Sequence, residues 1–160
     1  MEILDIVDLN DNVVGYATKE DVYNKLLCHR VVYILIFNEQ GEMALQLRSL
    51  KVLFCPRHWS TAVGGHVQCG ETFKEAAERE YLEELGVRSK IEFFSKDLYQ
   101  VPNRPDKIIT TFKTQFNGPF KTDSAEVERI DFFNWDKIKE MIKNGEKFHP
   151  ELLFLLNKYF

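Results

Sequence analysis

The stretch from Gly65 to Val87 constrains this chain more than any other. Gly65-His66-Val67-Gln68-Cys69-Gly70-Glu71 reads as a glycine-rich loop, and Thr72 to Leu85 as a helix that stops at Gly86. At about 100° per residue, Glu80, Glu83 and Glu84 fall within an arc of about 100° and share one helix face. Ala77, Tyr81 and Leu85 lie about a quarter turn away and should face a core, which puts the three carboxylates at the margin of the buried stripe. Like charges at these spacings repel, and a divalent cation would turn that repulsion into ligation. Mg²⁺ suits such a set, because it takes oxygen ligands and keeps waters and phosphates in its shell. The loop glycines permit close backbone approach, and the helix N-terminus is positive, so the segment can help hold phosphate oxygens. Taken alone, three Glu on a helix also read as a solvated face and two glycines as a turn. The residues by themselves leave both readings open.

The rest of the chain narrows the class. Its 160 residues suit one domain, 1–160, with a real core. Hydrophobic content of 44% with 29% charged residues is that of a soluble globular protein. A net charge of -4 argues against binding a nucleic-acid polymer, which needs clustered Lys and Arg, but permits a local basic pocket for one small anion. The opening Met1-Glu2-Ile3-Leu4-Asp5 lacks the basic start and apolar core of a signal peptide, and apolar runs such as Val31–Phe37 are too short to span a bilayer. Cys28, Cys55 and Cys69 form no CxxC pair, so neither a disulfide framework nor a zinc knuckle is expected. A cytoplasmic location without a membrane partner follows as the expectation.

No repeat or linker interrupts the chain. Strands are expected over Ile3–Leu9, Val13–Tyr16, Val31–Phe37, Glu42–Leu47, Thr61–Val67, Ile91–Tyr99, Ile108–Phe116 and Val127–Phe133. Val31–Phe37, β-branched and aromatic, should be central. Thr18 is placed to cap a short helix, residues 49–59 read as a loop, and Trp135–Lys143 and Pro150–Tyr159 as closing helices, with Pro150 at a first helical position. The order predicts an α+β fold, a mixed sheet with helices packed on it. Trp59, Phe54, His58 and Tyr99 are candidates to stack on a base, and Arg48 and Arg57 to bind phosphate. With 13% aromatic residues, core packing is the alternative for each ring.

The spacing resembles the box of the Nudix, or MutT-like, family, G-x5-E-x7-R-E-U-x-E-E-x-G-U, where U is a bulky apolar residue. Gly65, Glu71, Arg79, Glu80, Glu83, Glu84 and Gly86 match all seven fixed positions. At about 6% per position, chance agreement in one register is on the order of 10⁻⁹. Tyr81 stands where an aliphatic residue is usual, and Gln68 where many relatives carry a Glu. The resemblance implies an α/β/α sandwich that cleaves a diphosphate linkage in a nucleoside diphosphate derivative, with one to three Mg²⁺ or Mn²⁺ ions. It implies that Glu80, Glu83 and Glu84 ligate metal, and that one of them can take the proton from water. It also implies that Gly64, Gly65 and His66 border the phosphates, with the Gly64 carbonyl a possible ligand. Arg79 and Glu71 brace the box. A further carboxylate is expected from Asp123-Ser124-Ala125-Glu126-Val127-Glu128; Glu126 is the candidate, against an ordinary exposed Glu.

Looser matches at Asp5–Asp8, Thr18–Val22, Leu27–Arg30 and Trp59–His66 resemble the branch related to isopentenyl diphosphate isomerase. That branch uses a cysteine at the position of Gly64 and metal ligands that include two histidines matching His29 and His66, plus a Glu pair. Here the thiol is missing, and the corresponding strand, Ile108-Ile109-Thr110-Thr111-Phe112, has no carboxylate. Isomerisation and a non-catalytic nucleotide-binding module stand as alternatives to hydrolysis.

Overall fold

The computed structural model describes residues 1–160. In chain order the elements are β1 Ile3–Val7, β2 Val13–Thr18, α1 Lys19–Asn24, β3 His29–Phe37, β4 Met43–Arg48, β5 Trp59–Thr61, β6 Val63–His66, α2 Phe73–Leu85, β7 Glu92–Tyr99, β8 Lys107–Gln115, β9 Val127–Phe133, α3 Trp135–Lys143 and α4 Pro150–Tyr159.

β3 organises the sheet. It runs parallel to β8 from His29↔Lys107 to Phe37↔Gln115, and antiparallel to β6 from Val31↔His66 to Ile34↔Val63. It also touches β1 at Ile6↔His29 and β4 at Phe37↔Met43. The sheet is therefore mixed. β3 reads as a continuous apolar run because both its faces are covered. Val32, Ile34 and Ile36 point to one side, where Ala76, Ala77, Tyr81 and Leu85 of α2 pack. Leu35 points to the other, against Ile138 and Met141 of α3 and Leu152 and Leu156 of α4. The period-two alternation of one strand thus feeds two cores, and the layers form an α/β/α sandwich. No helix is long and apolar enough to cross a membrane.

Thr61–Val67 does not form the single strand that its sequence suggests, and strand structure begins at Trp59, inside the expected loop. β5 pairs with β4 at Leu47↔Trp59 and Leu45↔Thr61, whereas β6 pairs with β3. The chain changes partner at the fully buried Ala62, with the Thr61 hydroxyl donating to the Val63 carbonyl at 2.9 Å. That switch carries Gly64, Gly65 and His66 onto the central strand, beside α2.

α2 is fixed at both ends by local chemistry. Thr72 accepts from the Glu75 N–H at 3.1 Å, and Glu75 accepts from the Thr72 N–H at 3.4 Å, a reciprocal capping box. Gly86 stops the helix with φ of +66°. A Cβ there would lie 2.8 Å from the Lys121 carbonyl oxygen. This close approach ties the helix end to the loop between β8 and β9: Lys121 N–H donates to the Leu85 carbonyl and Asp123 N–H to that of Glu84, at 2.8 and 2.9 Å.

Candidate active site

α2 and the 121–126 loop border a cleft of about 700 Å³. Glu80, Glu83 and Glu84 line one wall, joined by Asp123 and Glu126 from the tethered loop and by Gly64, Gly65 and His66 from β6. The structure thus brings all the acidic and glycine-loop candidates to one cavity. Phe54 and Arg48 also line it, whereas Trp59, His58, Tyr99 and Arg57 do not. Trp59 and Tyr99 are core residues, His58 Nδ1 contacts the Pro56 carbonyl, and Arg57 is paired with Glu128. Gln68 lies off the cleft, bridged to Leu4, with its N–H donating to Glu71 at 2.8 Å. The departure from the box at that position therefore leaves the cavity wall unchanged.

Arg79 is the hub of the box. Its guanidinium donates to both oxygens of Glu71 at 2.7 and 2.9 Å, to Glu80 at 2.8 Å, to Glu83 at 3.4 Å and to the His66 carbonyl at 3.1 Å. Such forked, charge-assisted bonds fix a carboxylate's orientation as well as its charge. Arg79 does not line the cleft itself; it holds the residues that do. Glu71 closes the loop, accepting from both Arg79 and the Gln68 N–H.

The three carboxylates differ in environment more than their shared helix face suggests. Glu83 is largely exposed, with its side chain 57% accessible. Glu80 is half-buried against Gly65. Glu84 is buried at 7% exposure rather than marginal, because Gln46 of β4 reaches under the helix. The Gln46 amide donates to Glu84 Oε1 at 2.9 Å and to the Ala62 carbonyl at 3.0 Å. Burial pushes the Glu84 carboxyl well above the ordinary carboxylate range, and the facing Glu80 charge adds to this. Burial raises Glu80 as well, with the Arg79 guanidinium pulling the other way.

This wall fits a divalent cation. Glu84 Oε2 is buried without a hydrogen-bond partner, and a buried oxygen left unpaired is costly. A cation would supply the missing partner and favour the ionised form of both carboxyls. As they stand, no three His, Cys, Asp or Glu side chains form a ready-made cage. An all-oxygen, partly preformed set suits Mg²⁺, which relies on waters and substrate phosphates for the remainder of its shell.

The opposite side of the cleft is basic and aromatic, and sequence reasoning missed most of it. Tyr23, Tyr33, Arg104, Lys107 and His149 all contribute. Lys107 and Glu151 form a buried ion pair at 2.8 Å, and the Tyr33 hydroxyl donates to the other Glu151 oxygen at 2.7 Å. Burial works against the Glu151 charge, but Lys107, His149 and the Tyr33 hydroxyl together more than offset it, and the carboxyl sits below its usual range. The Tyr23 hydroxyl and His66 Nε2 share a hydrogen bond of 2.7 Å, and the His66 ring stacks on His29 at 5.5 Å. His29 gives Nδ1–H to the Leu27 carbonyl at 3.0 Å, which leaves a buried, unpartnered Nε2.

Burial lowers His29 and His149 to about 4 and His66 well below its ordinary value. Ring-proton NMR shifts of these three residues should therefore stay flat from pH 8 to pH 5. The unfolded imidazoles take up protons near 6.5, so between there and about 4 the unfolded chain binds more of them. Each histidine's contribution to stability is present above that window and is lost as pH falls through it. A ring that titrates near 6.5 in the folded protein would contradict its buried placement.

Comparisons with known proteins agree with the geometry. The NUDIX domain matches residues 28–156. An isopentenyl-diphosphate Delta-isomerase of Serratia proteamaculans is 31% identical over 153 residues, covering 92% of this chain and 85% of that one. An uncharacterized Nudix hydrolase of Nostoc sp. is 30% identical over 159 residues, covering 99% and 87%. The crystal structure of DR0079 from Deinococcus radiodurans superposes with a TM-score of 0.86 over 99% of both chains at 23% identity, a likeness of fold. Nudix hydrolases as a family require divalent metal ions. With the full box from Gly65 to Gly86, the domain match and relatives along nearly its whole length, the chain belongs to the Nudix family, as one of its hydrolases.

Proposed function

We infer that the chain hydrolyses a diphosphate linkage in a nucleoside diphosphate derivative or related small molecule, with Mg²⁺ or Mn²⁺ held by Glu80, Glu83 and Glu84 and by Glu126 of the facing loop. The observation that carries this reading is the Glu84 carboxyl, buried with one orphaned oxygen and set against Glu80 in the wall of a cleft. Bound there, the cation would neutralise phosphoryl oxygens and activate water. The chain's own residues do the rest. Arg79 holds the Glu80 and Glu83 carboxylates in place. Glu83, the most exposed of the three, is free to accept a proton from an attacking water. Gly64 and Gly65 leave backbone, without side chains, at the floor where phosphates approach.

Purified protein with Mg²⁺ or Mn²⁺ should release phosphate or a mononucleotide from one or more members of a panel of nucleoside diphosphates, dinucleotides, nucleotide sugars and isoprenoid diphosphates. Chelation should abolish the release. Silence across the panel with both ions would remove this reading.

The isomerase relative motivates a second reading, and the structure argues against it at Gly64. A Cβ built there would lie 2.5 Å from Tyr33 Cε1. Tyr33 is buried and anchored through its hydroxyl to Glu151, so displacing the ring would break that bond. The missing thiol is therefore more than a one-residue change. Gly64→Cys is expected to destabilise the protein by about 1–3 kcal/mol through overpacking. It should also incorporate no deuterium into isopentenyl diphosphate in D₂O. A stable variant that exchanges deuterium would reinstate the isomerase reading.

A further inference from the structure

The cation at the basic end of the cleft lacks what every comparable cation in the molecule has. Arg30 is paired with Asp11, Arg79 with Glu71 and Glu80, and Lys107 with Glu151. Arg104 is half-buried and lines the cleft, yet no carboxylate or carbonyl accepts from it. Aromatic faces hold it instead. Its guanidinium carbon lies 4.3 Å from the Phe54 ring centre and 5.4 Å from that of Tyr23. Stacking of this kind orients the planar fork and leaves its N–H edge without an acceptor. Lys107 stands on the same ring, with Nζ 5.6 Å from the Tyr23 centre. Glu151 takes only one of its three donors.

This pair of cations lines the same cleft as the carboxylate wall and is connected to it. The Tyr23 ring lies 5.7 Å from the His66 ring, and His66 follows Gly65, on which Glu80 rests. A molecule with its diphosphate at α2 and its adjoining sugar along Tyr23 and His66 would bring a substituent on that sugar to Arg104. A guanidinium fork beside an ammonium point charge matches a phosphate, whose three terminal oxygens can accept from both.

We propose that Arg104 and Lys107 form a second anion subsite, which selects diphosphate substrates that carry a further phosphate monoester on the sugar next to the linkage. The proposal rests on the hydrolase reading above for the placement of the scissile linkage. Matched pairs that differ only in that monoester test it: coenzyme A against dephospho-coenzyme A, and NADPH against NADH, each hydrolysed with Mg²⁺. The wild type should favour the phosphorylated member of each pair by about tenfold or more in kcat/KM, the worth of one charge-assisted hydrogen bond. Arg104→Ala should erase that preference by raising KM for the phosphorylated member alone, with kcat changed by less than about twofold. Calorimetric binding of the same pairs to a Glu83→Gln background, with and without Arg104→Ala, reads the subsite independently of turnover. Hydrolysis of both members at equal kcat/KM, insensitive to Arg104→Ala, overturns the subsite and leaves the hydrolase intact. An Arg104-dependent binding preference without hydrolysis by the wild type supports the subsite and removes the hydrolase reading.

Discussion

Glu83→Gln should lower turnover on the order of 10³-fold while shifting the melting temperature by no more than about 2 °C. The two halves of this expectation have separate causes. Glu83 lines the cleft but makes one long contact, 3.4 Å to Arg79, and its side chain is 57% exposed. Exposed positions without caps or buried partners seldom change stability by more than about 0.5 kcal/mol. The amide keeps the volume and can still accept from Arg79. What it loses is a negative charge where a cation and a reacting water would sit, and an amide neither ligates Mg²⁺ as well nor takes a proton. Steady-state hydrolysis of the best panel substrate, run beside thermal unfolding, measures both. Retained activity would show that Glu80, Glu84 and Glu126 suffice and that Glu83 is a solvated surface residue.

The parts of this molecule that were legible in the sequence are those written in neighbouring residues. The start of α2 at Thr72, its stop at Gly86 and the facing of Ala77, Tyr81 and Leu85 into the core follow from short-range rules, and the structure shows each of them. Val31–Phe37 announces a strand buried on both faces by its unbroken apolar run, and it is the centre of the sheet. What was not legible depends on residues far apart in the chain. The break at Ala62 exists because β4 and β3 compete for one segment, and no local signal encodes a change of partner. Glu84 looks marginal on a helical wheel and is buried because Gln46, 38 residues earlier, reaches beneath it. Glu151 reads as an ordinary first-turn acid of α4, yet it neutralises Lys107 at the back of the cleft. Arg104 sits in a turn between β7 and β8, and its value comes from Tyr23 of α1 and Phe54 of the β4–β5 loop. The acidic half of the site lies mainly on one helix and was readable. The basic half is assembled from five segments and was not.

Gly65→Ala should cost activity without costing the fold, whereas Gly64→Ala should cost the fold. The two glycines are adjacent on β6 and present opposite faces of the strand. A methyl group at 65 would lie 2.4 Å from the Glu80 carboxyl carbon and 2.7 Å from its Cγ. The obstacle is the end of a flexible side chain, which can swing away at little cost to the core. Swinging away breaks the Arg79–Glu80 bond of 2.8 Å and separates Glu80 from Glu84. A displacement of about 1 Å at a reacting site can cost on the order of 10²-fold in rate, so kcat should fall by about that factor with the unfolding midpoint nearly unchanged. At 64 the obstacle is the Tyr33 ring, 2.5 Å away and locked in the core by its hydroxyl bond to Glu151. There the strand or the ring must give, at about 1–3 kcal/mol, while the carboxylate wall on the other face is not pushed directly. Denaturant unfolding and hydrolysis assays on the two variants separate these roles. If Gly65→Ala hydrolyses substrate at the wild-type rate, Glu80 need not hold its observed position for the reaction to proceed, and its assignment as a ligand fails with it.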